Sequence, residues 1–222
     1  SGGMVTTDDD RLRYIASLFL DKCYQREEGI RNPFFLAPNY QMTELQGAVA
    51  LAQLGRVRDV VNRRNRLGTK LSQLISDCPG VKPQRVPEGC RHTYFLFLFR
   101  LDPGDLRCTA EDFAEVLRAE GVPAKARLIT GGRPVYQYDL FRNRSAFPGS
   151  TYPFASLDTG IERSYIDGDC PIAEAAFDTW ITMDLHEHYT DVDIEEIAFA
   201  IGKVAHSYAR TQSVRVPVAS VS

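Results

Sequence analysis

The chain has 222 residues, of which 44% are hydrophobic and 25% charged, enough to bury a core without disulfide or metal staples. Lys and Arg number 26 against 29 Asp and Glu, a formal charge of −3, so no whole-chain positive field draws the protein onto nucleic acid or anionic lipid. The longest apolar run, Tyr94 to Phe99, is too short to span a bilayer, and five widely spaced cysteines without a C-x-x-C pair signal neither a disulfide framework nor a zinc ribbon. These features predict a soluble protein of the reducing cytoplasm, with no nucleic-acid, membrane or metal partner.

In chain order, Met4 to Thr6 reads as a short strand running into Thr7, which caps a helix with Leu12, Ile15, Leu18 and Phe19 on one apolar stripe. Cys23 to Pro38 is charged and then broken by Gly29, Pro33 and Pro38, which predicts irregular backbone near a surface or a site. Thr43-Glu44-Leu45-Gln46 is a capping box, followed by the small residues Gly47, Ala48, Ala50 and Ala52. A longer helix from Arg56 to Cys78 sets Val57, Val60, Val61, Leu67, Leu71, Leu74 and Ile75 on one side, and Pro79-Gly80 stops it.

Strands and helices then alternate: a strand at Thr93 to Leu101, a Thr109-capped helix ending at Gly121, and a strand near Val122 to Arg127. Leu128 to Asp169, rich in Gly, Pro, Tyr, Arg and Ser, is a long irregular excursion of the kind that carries function in compact domains. A helix from Ile172, a strand at Trp180 to Met183 and a Thr190-capped helix bearing Ile194, Ile197, Ile201 and Val204 complete an α/β pattern, and the tail after Arg210 reads as unstructured.

Single motifs carry little alone. His186-Glu187-His188 supplies two ligands where zinc wants three or four, so no metal site is expected. The basic run Arg56, Arg58, Arg63, Arg64, Arg66 and Lys70 lies opposite a hydrophobic stripe without interleaved aromatics and reads as a solvated helix face. Thr130-Gly131-Gly132-Arg133 matches neither a P-loop nor a dinucleotide fingerprint and reads as a turn. His92, before a buried-looking strand, reads first as a structural histidine, and His206 as exposed.

Several segments nevertheless agree in order and spacing with one family. They are Gly2-Gly3-Met4-Val5-Thr6-Thr7-Asp8-Asp9, Asn39-Tyr40-Gln41-Met42-Thr43-Glu44-Leu45-Gln46 with Ala50-Leu51-Ala52-Gln53-Leu54 after it, Arg91-His92-Thr93-Tyr94, Gly121-Val122-Pro123, Pro134-Val135-Tyr136 and Cys170-Pro171-Ile172-Ala173-Glu174. From Gly2 to about Tyr208 the chain resembles the C-terminal part of the DegT/StrS sugar aminotransferases, pyridoxal-phosphate enzymes of fold type I. The resemblance implies an α/β fold: residues 1–55 as the end of the cofactor-binding large domain, 56–210 as a linking helix and small C-terminal domain, and 211–222 as a flexible tail.

The resemblance further implies a cytoplasmic homodimer with sites shared across the interface, using pyridoxal 5′-phosphate. Its reaction would move an amino group from glutamate or glutamine to a keto-sugar or keto-cyclitol, in amino-sugar or antibiotic biosynthesis. The alternatives are a sugar dehydratase of the same family and a non-catalytic dimerisation or binding module. The Schiff-base lysine, the ring-stacking aromatic and most phosphate ligands are expected upstream of Ser1, so no catalytic residue is assigned within these residues and the chain alone is expected to be inactive. Asn39 takes the family's role of binding the cofactor phosphate of the neighbouring subunit. Arg127 and Tyr136, with His92 and Gln41, are the substrate-binding candidates; Gln41 stands where the family usually has arginine and brings no charge.

Overall fold

Backbone order starts where the sequence offers a cap. In the computed structural model, which describes residues 2–127, 133–150, 152–154 and 165–210, Asp9 accepts from the Leu12 N–H at 2.9 Å and opens helix α1, Asp10–Leu20. Thr7 sits two residues before the cap, its hydroxyl accepting from the Asp9 N–H at 3.1 Å, so it braces the cap rather than forming it. Met4 to Thr6 is not a strand; no neighbouring segment among the described residues offers it a ladder. The Thr130-Gly131-Gly132 turn and the tail after Arg210 lie outside the described residues.

The chain divides into two compact units, one ending at Val60 and the other beginning at Val61. In the first, Leu18, Cys23 and Asp21 are the only buried residues among those described, while Leu12, Ile15 and Phe19 of the expected stripe stay open to solvent. Its second helix begins at the capping box, with the Gln46 N–H donating to Thr43 Oγ1 at 3.3 Å and the Thr43 N–H to Gln46 Oε1 at 3.0 Å. This helix, α2, runs unbroken from Glu44 to Leu74, across the division between the units. Gly55 does not interrupt it, because an exposed helical glycine costs only about 1 kcal/mol.

The second unit carries the core. Strands β1 (Val81–Pro83), β2 (Leu96–Leu101), β3 (Ala124–Ala126) and β4 (Trp180–Asp184) form one antiparallel sheet in the order β1-β2-β4-β3. Strict alternation along β2 buries Phe97, Phe99 and Leu101, and the register sets Phe97 against Met183 and Phe99 against Ile181. Helix α3 (Ala110–Ala119) contributes Phe113 and Leu117 to the core. Gly121, at φ +90°, ends α3 in a conformation a side chain resists.

Beyond β3 the described part of the excursion holds a 3₁₀ turn, Val135–Gln137, and a single-turn helix α4, Asp139–Arg142. Helix α5 (Pro171–Thr179) precedes β4, and α6 (Asp191–Tyr208) closes the unit with Ile194, Ile197, Ile201 and Val204 inward. Both α3 and α6 start in complete capping boxes, Thr109 with Asp112 and Thr190 with Asp193. The last turns of α2, with Ile75 just beyond them, enter the same core through Leu67, Leu71 and Ile75. Of the basic run on α2, Arg56, Arg58, Arg63 and Arg66 are exposed as the solvated-face reading expects, while Arg64 and Lys70 are half-buried and the C-terminal part of the run forms ion pairs. Arg64 pairs with Glu187 at 2.8 Å, Arg66 with Asp191 at 2.6 Å, and Lys70 with Asp191 and Glu195 at 3.1 and 2.6 Å.

Candidate active site

Asn39 is held by main chain. The Lys22 N–H donates to Pro38 O at 2.9 Å and the Tyr40 N–H to Leu20 O at 2.8 Å, closing an antiparallel bridge in which Asn39 faces Asp21. Asn39 is exposed, and its side-chain oxygen accepts from the Gln41 N–H at 3.4 Å. Its two carboxamide hydrogens have no partner among the described residues. A neutral, solvent-facing N–H₂ is the donor a phosphate oxygen accepts without added charge, so Asn39 fits a phosphate ligand. Gln41 is exposed beside it, on a groove of about 210 Å³ lined with Tyr14, Ser17, Tyr24 and Arg26.

Asp21, opposite Asn39, is a residue the sequence reading did not single out. Its carboxylate holds Lys22 Nζ at 2.6 Å on Oδ1 and the Arg26 guanidinium on both oxygens. The hydrogen bond from Arg26, then that from Lys22, holds its pKa well below the usual carboxylate range. The signal was the acid-base run Asp21-Lys22 followed by Arg26, which in a sequence looks like ordinary surface charge.

In the second unit, Arg127 follows β3 directly, in the left-handed region at φ +53°. Its Nε lies 2.8 Å from Glu111 Oε1 without an aligned hydrogen bond, and its terminal nitrogen lies 2.9 Å from Asp178 Oδ1. One cation therefore faces two carboxylates. Tyr136, half-buried in the 3₁₀ turn, donates its hydroxyl proton to Glu174 Oε1 and accepts from Gln137 Nε2 at 3.2 Å. Glu174 also accepts from the Gly168 N–H at 2.8 Å, so this carboxylate ties the turn, the 168 loop and α5 together. Burial first, and the bond to Glu174 second, push the Tyr136 phenol up; the Tyr136 hydroxyl and then the Gly168 N–H pull Glu174 down.

His92 Nδ1 accepts from the Tyr94 N–H at 2.9 Å, and its ring meets Tyr94 edge to face at 4.5 Å. That bond braces Tyr94, a buried residue at φ +48°, and gives His92 a structural task. At the other pair, His186 stacks on Tyr189 at 4.0 Å and Glu187 is taken by Arg64. Among the described residues no three His, Cys, Asp or Glu side chains gather to hold a metal ion, and no helix is long and apolar enough to cross a membrane. Asn39 and Gln41 thus share one unit, and Arg127, Tyr136 and His92 belong to the other.

Three relatives show what the chain is similar to. It is 29% identical over 206 residues to GDP-perosamine synthase of Caulobacter vibrioides, covering 91% of this chain and 48% of that one. It is 29% identical over 223 residues to L-glutamine:2-deoxy-scyllo-inosose aminotransferase of Streptomyces paromomycinus, covering 91% and 49%. The solved structure of Helicobacter pylori PseC, an aminotransferase involved in the biosynthesis of pseudoaminic acid, overlays 91% of this chain and 48% of its own with a TM-score of 0.65 at 17% identity. The fold is that of the fold-type I aminotransferases, and the chain spans about half the length of the curated relatives it matches. A family model matches residues 1–157, and the chain belongs to the DegT/DnrJ/EryC1/StrS aminotransferase family.

Proposed function

We propose that this chain is the C-terminal portion of a pyridoxal-phosphate-dependent aminotransferase that moves an amino group from glutamate or glutamine to a keto-sugar or keto-cyclitol. The observation that carries the reading is the family match over residues 1–157, which includes the Asn39 segment. Coverage of about half of each relative, with the unburied apolar residues Leu45, Val49, Leu51 and Leu54 on α2, supports a chain that works as part of a longer protein. The two relatives, one a GDP-perosamine synthase and one an L-glutamine:2-deoxy-scyllo-inosose aminotransferase, support the acceptor class and the donor.

When bound, pyridoxal phosphate supplies an electron-withdrawing ring that accepts the electron pair left by a departing carbon-bound proton. Asn39 donates its amide hydrogens to the cofactor phosphate and so fixes that end of the ring, in a dimer with the site shared between subunits. Tyr136 has no hydroxyl proton left to donate while Glu174 is ionised, and Arg127 already faces two carboxylates. Both arrangements suit a hydroxylated acceptor better than the carboxylate of an amino-acid donor. Gln41, uncharged and beside Asn39, offers an amide to the same neutral class of ligand, and His92 supports Tyr94 at the edge of β2.

The test is transamination by the full-length protein, with glutamate and glutamine as donors and a panel of keto-sugars and keto-cyclitols as acceptors. Donor-dependent amination of a panel member is the expected result. Release of the deoxygenated sugar instead would favour the dehydratase branch and overturn the assignment.

A further inference from the structure

We propose that Asp21 is a positioning residue for the phosphate end of the site, acting through Asn39; the proposal rests on the phosphate-binding role assigned to Asn39 above. Asp21 is the only carboxylate buried among the described residues, with its side chain 7% exposed. The bonds from the Lys22 N–H to Pro38 O and from the Tyr40 N–H to Leu20 O flank the Asp21 and Asn39 pair and do not join the two residues directly. They form the closer kind of antiparallel pair, in which opposite side chains leave on the same face with Cβ atoms about 4.5 to 5.5 Å apart. Asp21 is therefore the direct cross-strand neighbour of the asparagine.

Two further features make this neighbour a brace. Lys22 and Cys23 follow it at φ +56° and +58°, consecutive non-glycine residues in a left-handed conformation that persists only where surroundings impose it. The main chain holds part of this turn, through the Cys23 N–H on Leu18 O at 2.7 Å and the Tyr24 N–H on Asp21 O at 2.9 Å, and the Asp21 carboxylate clamps it further by holding the Lys22 ammonium and the Arg26 guanidinium, with Tyr24 beneath both cations, 5.3 and 5.8 Å from its ring centre. Losing the carboxylate frees the turn that sets the register of Pro38 to Tyr40, and the Asn39 amide loses its fixed aim.

The experiment uses the full-length protein and two probes, pyridoxal 5′-phosphate and phosphate-free pyridoxal, whose dissociation constants are measured for wild type, Asp21→Asn, Asn39→Ala and the double variant. The ratio of the two constants isolates the phosphate contact, which a general loosening of the fold would not change selectively. Each single variant is expected to lower that preference about tenfold, and the double variant no more than the larger single effect. Arg26→Gln removes one arm of the clamp from an accessible position and is expected to lower the preference about threefold, keeping the test decisive should Asp21→Asn fail to fold. An unchanged ratio in Asn39→Ala overturns the Asn39 assignment and this proposal with it. A lowered ratio there, beside an unchanged ratio or an equal loss of both probes in Asp21→Asn and Arg26→Gln, overturns the positioning role alone, as do additive effects in the double variant.

Discussion

At the scale of single residues, the buried carboxylate of Asp21 links stability to pH. Its pKa in the folded protein is depressed, chiefly by Arg26 and then by Lys22, so its stabilising contribution is fully present above the unfolded value of about 3.9. That contribution is lost as pH falls through the lower folded value. Urea unfolding of the full-length protein at a series of pH values should therefore show stability falling more steeply below about pH 4 in wild type than in Asp21→Asn. Parallel curves would remove Asp21 from the account of acid stability. Tyr136→Phe tests the acceptor reading: kcat/KM for the acceptor should drop about threefold to tenfold while the single-turnover reaction with the amino donor keeps its rate. A slowed donor reaction with an untouched acceptor reaction would move Tyr136 to the donor side. The sequence supplied the residue types of this candidate site and, through the motif around Asn39, the role proposed for that residue. It could not supply the partners, because Glu174 reaches Tyr136, and Glu111 and Asp178 reach Arg127, only after α3, α5 and the 3₁₀ turn have packed.

At the scale of elements, local chemistry was legible where a side chain closes on its own backbone. The Thr43 box and the Thr109 and Thr190 caps form as the spacing predicts, the latter two also closing into boxes with Asp112 and Asp193, since each needs only residues three apart. Strand β1 escaped notice because three residues ending in Pro83 carry no period; its existence depends on β2 lying alongside. Helix α2 joins what reads as two helices, and its glycines separate local from tertiary effects. A Cβ on Gly68 would stand 2.5 Å from the Tyr94 ring, whereas one on Gly55 meets nothing within 4 Å. Gly68→Ala should destabilise the protein by about 1 to 3 kcal/mol despite its better helix propensity, and Gly55→Ala should stabilise it by about 0.5 to 1 kcal/mol. Denaturant midpoints measure both; equal shifts in the two variants would show that the approach of Tyr94 to α2 is not tight.

At the scale of the whole molecule, the two units differ in kind. The second surrounds a continuous core from Leu67 to Ala205, whereas the first leaves most of its apolar residues in solvent. The proposed dimer with shared sites makes a complementation experiment informative at this scale. Full-length Asn39→Ala subunits mixed with subunits lacking the cofactor lysine should form heterodimers with one intact and one doubly defective site. Activity should then return to about half of the wild-type value per heterodimer, since active sites are counted one by one. No recovery in heterodimers verified by differential tagging would place Asn39 and the lysine of one site in the same subunit.

By itself the sequence determined the helices with caps, the alternating strand β2, the inward face of α6 and, through ordered short motifs, the family. Each depends on spacing within one segment, and periodicity or a cap leaves its mark there. Only the tertiary structure decided that Arg64, Arg66 and Lys70 of α2 pair with Glu187, Asp191 and Glu195, that Asp21 lies across from Asn39, and that the Arg127 and Tyr136 side chains are already engaged by acids. These pairings join residues distant in the chain. Any exposed carboxylate along the sequence is an equally good partner for an arginine or a phenol until packing brings one within reach.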